Sequence, residues 1–321
     1  LIFSAERELR DRVREVTGKR LSRRPVIWEE TTDYMSIQAG MILRLEDSDY
    51  LVTGEASEGR FGIDEQRKHW VKYVVDLTSG RKMIVKLVFL EEFTSRMGPI
   101  LIRSTRSPAK ESAVLEKVRG HPGFMQGRPV LDKAGNLVRV IEFVPGKNLY
   151  RHLMELETDH PTYFRVHLPR LLPLVVEAFE AMAFLHSLGG LHGDIRTDHL
   201  IMEPGGGRFV WIDFDFQVSH SDFDLWCLGN VLSFVVGKGV HNVYEVRNHP
   251  AAYPGAVQGF ELTKADLMFF GQNRIANLAK LFPYIPPRLN QVVMNFSSGT
   301  EVFYESTGAL VEDIKGALND L

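Results

Sequence analysis

The sequence predicts an α+β protein of two lobes, and three observations carry that expectation. Apolar and β-branched runs separated by turn residues fill the chain as far as Val144, helical patterns fill it from Pro145 onward, and one short hairpin interrupts the helical part. A series of strands followed by a series of helices is the layout of an α+β fold. We expect an N-terminal helical extension over residues 1–45, a sheet lobe over 46–144 and a mainly helical lobe over 145–321.

Taken in order, Phe3, Leu9, Val13 and Val16 stand among charges as on an amphipathic helix, which Pro25 closes. Runs at 41–45, 50–53, 70–77 and 82–90 read as antiparallel strands, with Thr78-Ser79-Gly80 turning between the last two. Ser107-Pro108 is an N-cap followed by proline at the first helical position, opening a helix to Val118 that ends at Gly120-His121-Pro122. Strands at 129–131 and 137–144 follow. Helices are then expected over 168–187, 224–236, 264–281 and 309–321. A helical insertion is expected within 237–270, where Pro250, Tyr253, Pro254 and Phe260 offer contacts to an acceptor or a partner.

The 321 residues are 44% hydrophobic and 25% charged, an ordinary globular balance with length for two cores. A net charge of −3 leaves no electrostatic footprint for nucleic acid or an anionic membrane. The basic run at 19–24 is local and reads as a solvated linker. The most apolar stretch, 171–185, is broken by Glu177 and Glu180, which argues against membrane insertion. Charges from Glu6 onward fit neither a secretory nor a transit signal. The single cysteine, Cys227, excludes an internal disulfide, fits a reducing compartment and lies in an apolar pattern that favours burial. A cytoplasmic protein is expected. The first residue is Leu1 and not Met, which points to a trimmed or processed chain and leaves room for a further domain upstream.

The chemistry concentrates in Leu191-His192-Gly193-Asp194-Ile195-Arg196-Thr197-Asp198-His199 and in Phe209-Val210-Trp211-Ile212-Asp213-Phe214-Asp215. Short apolar runs at 199–202 and 208–212 flank Pro204-Gly205-Gly206-Gly207, a strong turn signal, so a hairpin forms. It brings the loop before its first strand and the loop after its second to one edge, and Asp194 and Asp213 then face one space. A lone Asp is more often a turn or cap residue. A pair so placed suits phosphoryl transfer, in which one acid orients a hydroxyl and another holds a divalent ion.

These motifs resemble the catalytic loop and metal-binding motif of the protein-kinase-like superfamily, and further motifs fall in that family's order. Lys86 in the apolar strand 83–89, with Glu111 on the following helix, resembles the pair that touches nucleotide phosphates. On the residues alone, Lys86 could also face solvent from an edge strand, and Glu116 competes as its partner. Ile141-Glu142-Phe143-Val144-Pro145-Gly146-Lys147-Asn148 resembles the kinase hinge. The resemblance implies adenine pairing by the backbone at Glu142 and Val144, a ribose contact from Asn148, and Ile84 and Ile201 lining the adenine pocket. Gly59-Arg60-Phe61-Gly62 matches the second half of a glycine-rich loop, with a surface turn as the other reading. Asp224, in Asp224-Leu225-Trp226-Cys227-Leu228-Gly229, matches a helix start whose Asp accepts from the catalytic-loop backbone; a helix N-cap is the plainer reading.

The departures bear on mechanism. Gly193 replaces the Arg that reads a phosphorylated activation loop, and only residues 216–223 separate Asp215 from Asp224. His199 stands at the position of a metal-binding Asn, and Asp215 replaces the usual Gly. Imidazole suits transition metals better than Mg²⁺, so the site is expected to bind one metal ion or to prefer Mn²⁺. The resemblance implies an ATP-dependent phosphotransferase with Mg²⁺ or Mn²⁺, acting on a hydroxyl of a protein Ser/Thr or a small molecule. In it Asp194, Lys86, Glu111 and Arg196 are catalytic, and Asp213, His199 and Asp215 bind metal. A pseudokinase, a binding module without turnover, is the alternative that Gly193 and His199 favour.

Overall fold

The computed structural model describes residues 3, 6–21, 24–60, 63–97, 100–257, 259, 261–271 and 273–321, and at 58–60, 63–65 and 97 the backbone alone. In chain order the first elements are α1 (Glu6–Thr17), β1 (Ile27–Trp28), β2 (Ile42–Leu45), β3 (Ser48–Arg60), β4 (Ile63–Asp76) and β5 (Lys82–Lys86). Next come β6 (Glu92–Met97), β7 (Ile100–Arg106), α2 (Pro108–Lys117), β8 (Gly127–Leu131) and β9 (Leu137–Glu142). After β10 (Lys147–Asn148) follow α3 (Leu149–Met154), α4 (His160–Thr162), α5 (Leu168–Ser187), β11 (Leu200–Met202), β12 (Phe209–Trp211) and β13 (Phe216–Val218). The last helices are α6 (Phe223–Gly237), α7 (Val243–Asn248), α8 (Pro254–Val257), α9 (Leu278–Leu281), α10 (Pro287–Met294) and α11 (Thr307–Leu318). The fold is α+β and divides into two compact units: Leu1–Glu91, Arg106–Gly120 and Met125–Phe143 form the first, and Glu92–Thr105, His121–Phe124 and Val144–Leu321 the second.

The first unit is a sheet in the order β1-β2-β3-β4-β5-β9-β8, antiparallel except for the β1–β2 pair. Strand side chains alternate between faces, and each face has its own core. Ile42 and Leu51 join Leu77 beneath Leu9 and Val13 of α1, while Leu43, Leu45, Tyr50 and Val52 join Val74, Val85 and Val138 on the other face. Burial of each such side chain contributes about 1.5–3 kcal/mol. Arg12 of α1 donates to the carbonyls of Leu77 and Thr78, fixing the helix along the sheet. The Ser107 hydroxyl accepts from the Lys110 amide and Pro108 fills the first turn, so α2 starts as its sequence dictates.

The second unit is built around α5 and α6. Helix α6 is apolar on all sides and buries Leu225, Leu228, Val231, Leu232, Val235 and Val236, the pattern of a helix enclosed by others. Burial and the nearby Asp224 and Asp194 charges push the Cys227 thiol well above its ordinary pKa, so it is an inert core residue. Two small sheets belong to this unit, in the orders β10-β11-β12 and β13-β7-β6. No helix among the described residues is long and apolar enough to cross a membrane.

Three segments differ from the sequence expectation. Residues 264–281 are not one helix. Lys264–Asp266 is a single 3₁₀ turn, the chain then forms isolated bridges, and α9 alone is helical. The Asp266 carboxylate accepts from Thr263, Asn277 and Lys280, a side-chain network that outcompetes the helical ladder. The hairpin β6–β7 and helix α10 carry no signal that the sequence reading used. Asp224 is not an N-cap: Asp222 holds that position and the Asp224 side chain turns inward.

Candidate functional site

In the first unit, β5 places Lys86 in register with Arg139 of β9, inside the sheet rather than at its edge. The Lys86 ammonium donates to Glu111 Oε1 at 2.7 Å and Arg139 Nε donates to Glu111 Oε2 at 3.0 Å. All three side chains are buried, with Glu111 at 0% exposure. Arg139 also reaches the carbonyls of Leu87 and Leu137. Removing water from three charges costs several kcal/mol per ion, and the shared carboxylate with its hydrogen bonds offsets that cost. Glu116, the competing partner, pairs instead with exposed Arg119. Arg139 was not singled out in the sequence, although an Arg within Leu137-Val138-Arg139-Val140-Ile141 carries the same signal as Lys86 within its strand.

Other candidates in this unit lie on the same sheet. Ile84 is half-buried and in register with Ile141. Glu142 ends β9, and its amide donates to the Gln126 carbonyl at 2.8 Å. Gly59 lies within β3. Phe61 and Gly62 lie outside the described residues.

In the second unit, Val144 is half-buried ahead of β10, and Asn148 ends that strand. The Asn148 side chain accepts from the Arg151 amide at 2.8 Å and caps α3, so its amide oxygen is committed. Gly146, at φ 139°, lies against β11, where a Cβ would stand 2.0 Å from the Met202 carbonyl oxygen; only glycine fits. Ile201 pairs with Asn148 and with Val210 across the three-stranded sheet.

The hairpin of β11 and β12 does what its spacing requires. Leu200 pairs with Trp211, and the Ile212 amide donates to the His199 carbonyl at 3.0 Å, tying the two loop ends together. The Trp211 indole donates to the Ala178 carbonyl and anchors this strand on α5. Just beyond, Asp213 has φ 64°, a left-handed conformation that costs a non-glycine residue about 1 kcal/mol and is typical of functional sites. His199 lies between the two acids: Nδ1 is 3.6 Å from Asp194 Oδ2 and Nε2 is 3.5 Å from Asp213 Oδ2. Arg196 approaches His199 Nε2 at 2.6 Å and lies 3.6 Å from Asp194 Oδ1 and 3.2 Å from Asp198 Oδ2. An arginine only donates, so Nε2 accepts and the ring proton sits on Nδ1, which donates to the Asp194 carbonyl at 2.8 Å.

That tautomer decides which residues fit a divalent ion. Both His199 nitrogens are committed to protein partners, and a ligand role would require Arg196 to leave. Asp213 and Asp215 present the hard carboxylate oxygens that Mg²⁺ and Mn²⁺ prefer. They fit such an ion, and His199 contacts Arg196 and Asp194.

The Asp194 loop is fixed from beneath. Asp224 is fully buried and accepts from the amides of His192 at 2.6 Å and Gly193 at 2.8 Å, and from His186 Nε2 at 2.9 Å. Burial pushes its carboxyl upward, but the His186 hydrogen bond, the nearby imidazoles and the Gly193 amide outweigh it and hold the pKa below the usual value. Gly193, at φ 81°, adopts a conformation that favours glycine. The short segment after Asp215 is also anchored: β13 lies beside β7, with the Ser219 amide donating to the Arg103 carbonyl and the Arg103 amide donating to the Ser219 hydroxyl.

A sheet unit carrying a buried Lys–Glu pair and a helical unit carrying two acids on one hairpin define a kinase-like architecture. No protein-family profile matches the chain. Death-associated protein kinase dapk-1 of Caenorhabditis elegans is 25% identical over 232 residues, 70% of this chain and 15% of that protein. Serine/threonine-protein kinase sax-1 of the same organism is 25% identical over 234 residues, 72% of this chain and 40% of that protein. Human receptor-interacting serine/threonine-protein kinase 1 is 23% identical over 184 residues, 57% of this chain and 22% of that protein. The chain thus spans less than half the length of each of these relatives. These similarities, with the fold, support a protein-kinase-like superfamily for this chain.

Proposed function

We propose that the protein is an ATP-dependent phosphotransferase that transfers the γ-phosphoryl group to a hydroxyl, with a protein Ser/Thr side chain as acceptor. The observation that carries this reading is the placement of Asp194 and Asp213 at the two ends of one hairpin, each within 3.6 Å of a ring nitrogen of His199. Two of the relatives, sax-1 and receptor-interacting kinase 1, are named serine/threonine-protein kinases, which supports the acceptor class.

Asp194 orients the acceptor hydroxyl and takes its proton as the oxygen bonds to the γ-phosphorus. The bond from that phosphorus to the bridging oxygen breaks, and ADP leaves. Arg196 and Lys86 supply positive charge to the phosphates, and Glu111 with Arg139 holds Lys86 in one orientation. Asp213 and Asp215 hold a divalent ion, which neutralises phosphate charge when bound. Most of the rate then comes from positioning and electrostatics. Because β7 already anchors the short segment after Asp215, phosphorylation of that segment is not needed to order it.

Metal-dependent transfer of labelled γ-phosphate from ATP to a generic protein acceptor tests the reading. Wild type is expected to label the acceptor with Mg²⁺ or Mn²⁺, and Asp194→Ala to lose this. A second reading, a nucleotide-binding module without turnover, rests on His199 standing where the family has a metal-binding Asn. Nucleotide binding without any labelling would select it.

A further inference from the structure

The second unit carries a groove that the proposed chemistry does not use. One end is a cavity of about 740 Å³ walled by Arg96, Lys264 and Arg274 over Phe269 and Phe270. A smaller cavity of about 280 Å³ continues it, sharing Lys264, Leu267 and Asn273 and adding Arg247 and Tyr244. Arg96, Arg247, Lys264 and Arg274 are exposed and make no ion pair among the described residues. Among the described residues, no Asp or Glu lines either cavity. In a chain of net charge −3, four cations without a carboxylate among them are a local reversal of sign. The acid within this stretch, Asp266, is 4% exposed and turned inward to Thr263, Asn277 and Lys280.

We infer that this groove binds an acidic segment of a protein partner in extended conformation. Three features select that occupant. The walls are cationic, so the ligand is anionic. The floor is apolar, with Met268 and Phe270 buried and Leu267 and Phe269 half-buried, so the ligand also carries apolar side chains. Arg96 rises from β6, which among the described residues is the edge strand of the β13-β7-β6 sheet, and a strand edge offers backbone groups that a peptide ladder matches and a nucleic acid does not.

Fluorescence anisotropy of short labelled peptides tests this on the full chain. The probes are a peptide alternating Glu and Leu, the same peptide with Lys for Glu, and an oligothymidylate of equal negative charge. The acidic peptide is expected to bind, more weakly as salt is raised, and the Arg96→Glu/Arg274→Glu variant to lose at least about tenfold in affinity. Lys19→Glu/Arg20→Glu, a charge-matched change outside the groove, is expected to stay within about twofold of wild type. Failure of the acidic peptide to bind overturns the proposal, as do equal binding of the Lys peptide, tighter binding of the oligothymidylate, or equal losses in the two variants. The assay contains no ATP, so its outcome is independent of turnover.

Discussion

The two ionic constellations of this protein are held to different tolerances. Lys86, Glu111 and Arg139 are buried and meet at 2.7 and 3.0 Å, with Arg139 also tied to two backbone carbonyls. Asp194, Arg196, His199 and Asp213 face one another mostly at 3.5–3.6 Å, and the Asp194 and Arg196 side chains keep 18% and 32% exposure. The tight cluster fixes geometry inside a folded sheet. The looser one keeps carboxylate edges within reach of a ligand, and its precision comes from the hairpin and from Asp224 beneath. Damage to the first should therefore register as lost stability together with lost chemistry, and damage to the second mainly as lost chemistry.

The largest expected effect lies in the looser cluster. Asp194→Ala is expected to lower kcat for phosphoryl transfer by roughly 10²–10⁴, with an unfolding free energy within about 1 kcal/mol of wild type. Denaturant titration alongside a turnover assay checks both halves. In the tight cluster, Glu111→Ala strips two buried cations of their shared carboxylate and is expected to cost about 3–5 kcal/mol. Replacing all three residues together, by Lys86→Met, Glu111→Leu and Arg139→Met, should cost less than that single change, which would separate the loss of pairing from the loss of packing. A triple variant less stable than Glu111→Ala would show that the triad itself contributes net stability.

Asp224 joins the two behaviours. Asp224→Ala leaves the buried amides of His192 and Gly193 without their acceptor, so about 2–5 kcal/mol of stability and most of the activity should be lost together. The smallest expected effect is one of pH. His160 stacks on Phe282 and bonds to Tyr284 and the Val236 carbonyl, and burial lowers its pKa from 6.5 to about 4. A depressed folded pKa contributes stability that is present above 6.5 and lost as pH falls towards 4. The loss is at most about 3 kcal/mol, and His160→Gln should flatten that part of the stability profile.

Much of this was legible because the chemistry depends on short spacings. The turn at 204–207 forces the hairpin, and the hairpin forces Asp194 and Asp213 together; a Lys amid apolar strand residues demands a buried acid, and Glu111 is one helical turn into α2. Arg139, an Arg amid the apolar residues of β9, is equally legible. The His199 tautomer was not, because only the Arg196 approach at 2.6 Å indicates which nitrogen carries the proton. The β6–β7 hairpin escaped because its reason lies far along the chain, in its pairing with β13. At 264–281 the helical period was real, but the Asp266 network overrode it.

Thermal unfolding with ATP alone, ATP plus Mg²⁺ and ATP plus Mn²⁺, on wild type and on Asp213→Ala, tests the central claim most directly. At a hundredfold excess over Kd, bound nucleotide adds roughly 2.7 kcal/mol, a rise in Tm of roughly 5 °C. The account predicts a metal-dependent rise in wild type that Asp213→Ala abolishes. No rise under any condition, or an equal rise in both proteins, would contradict it.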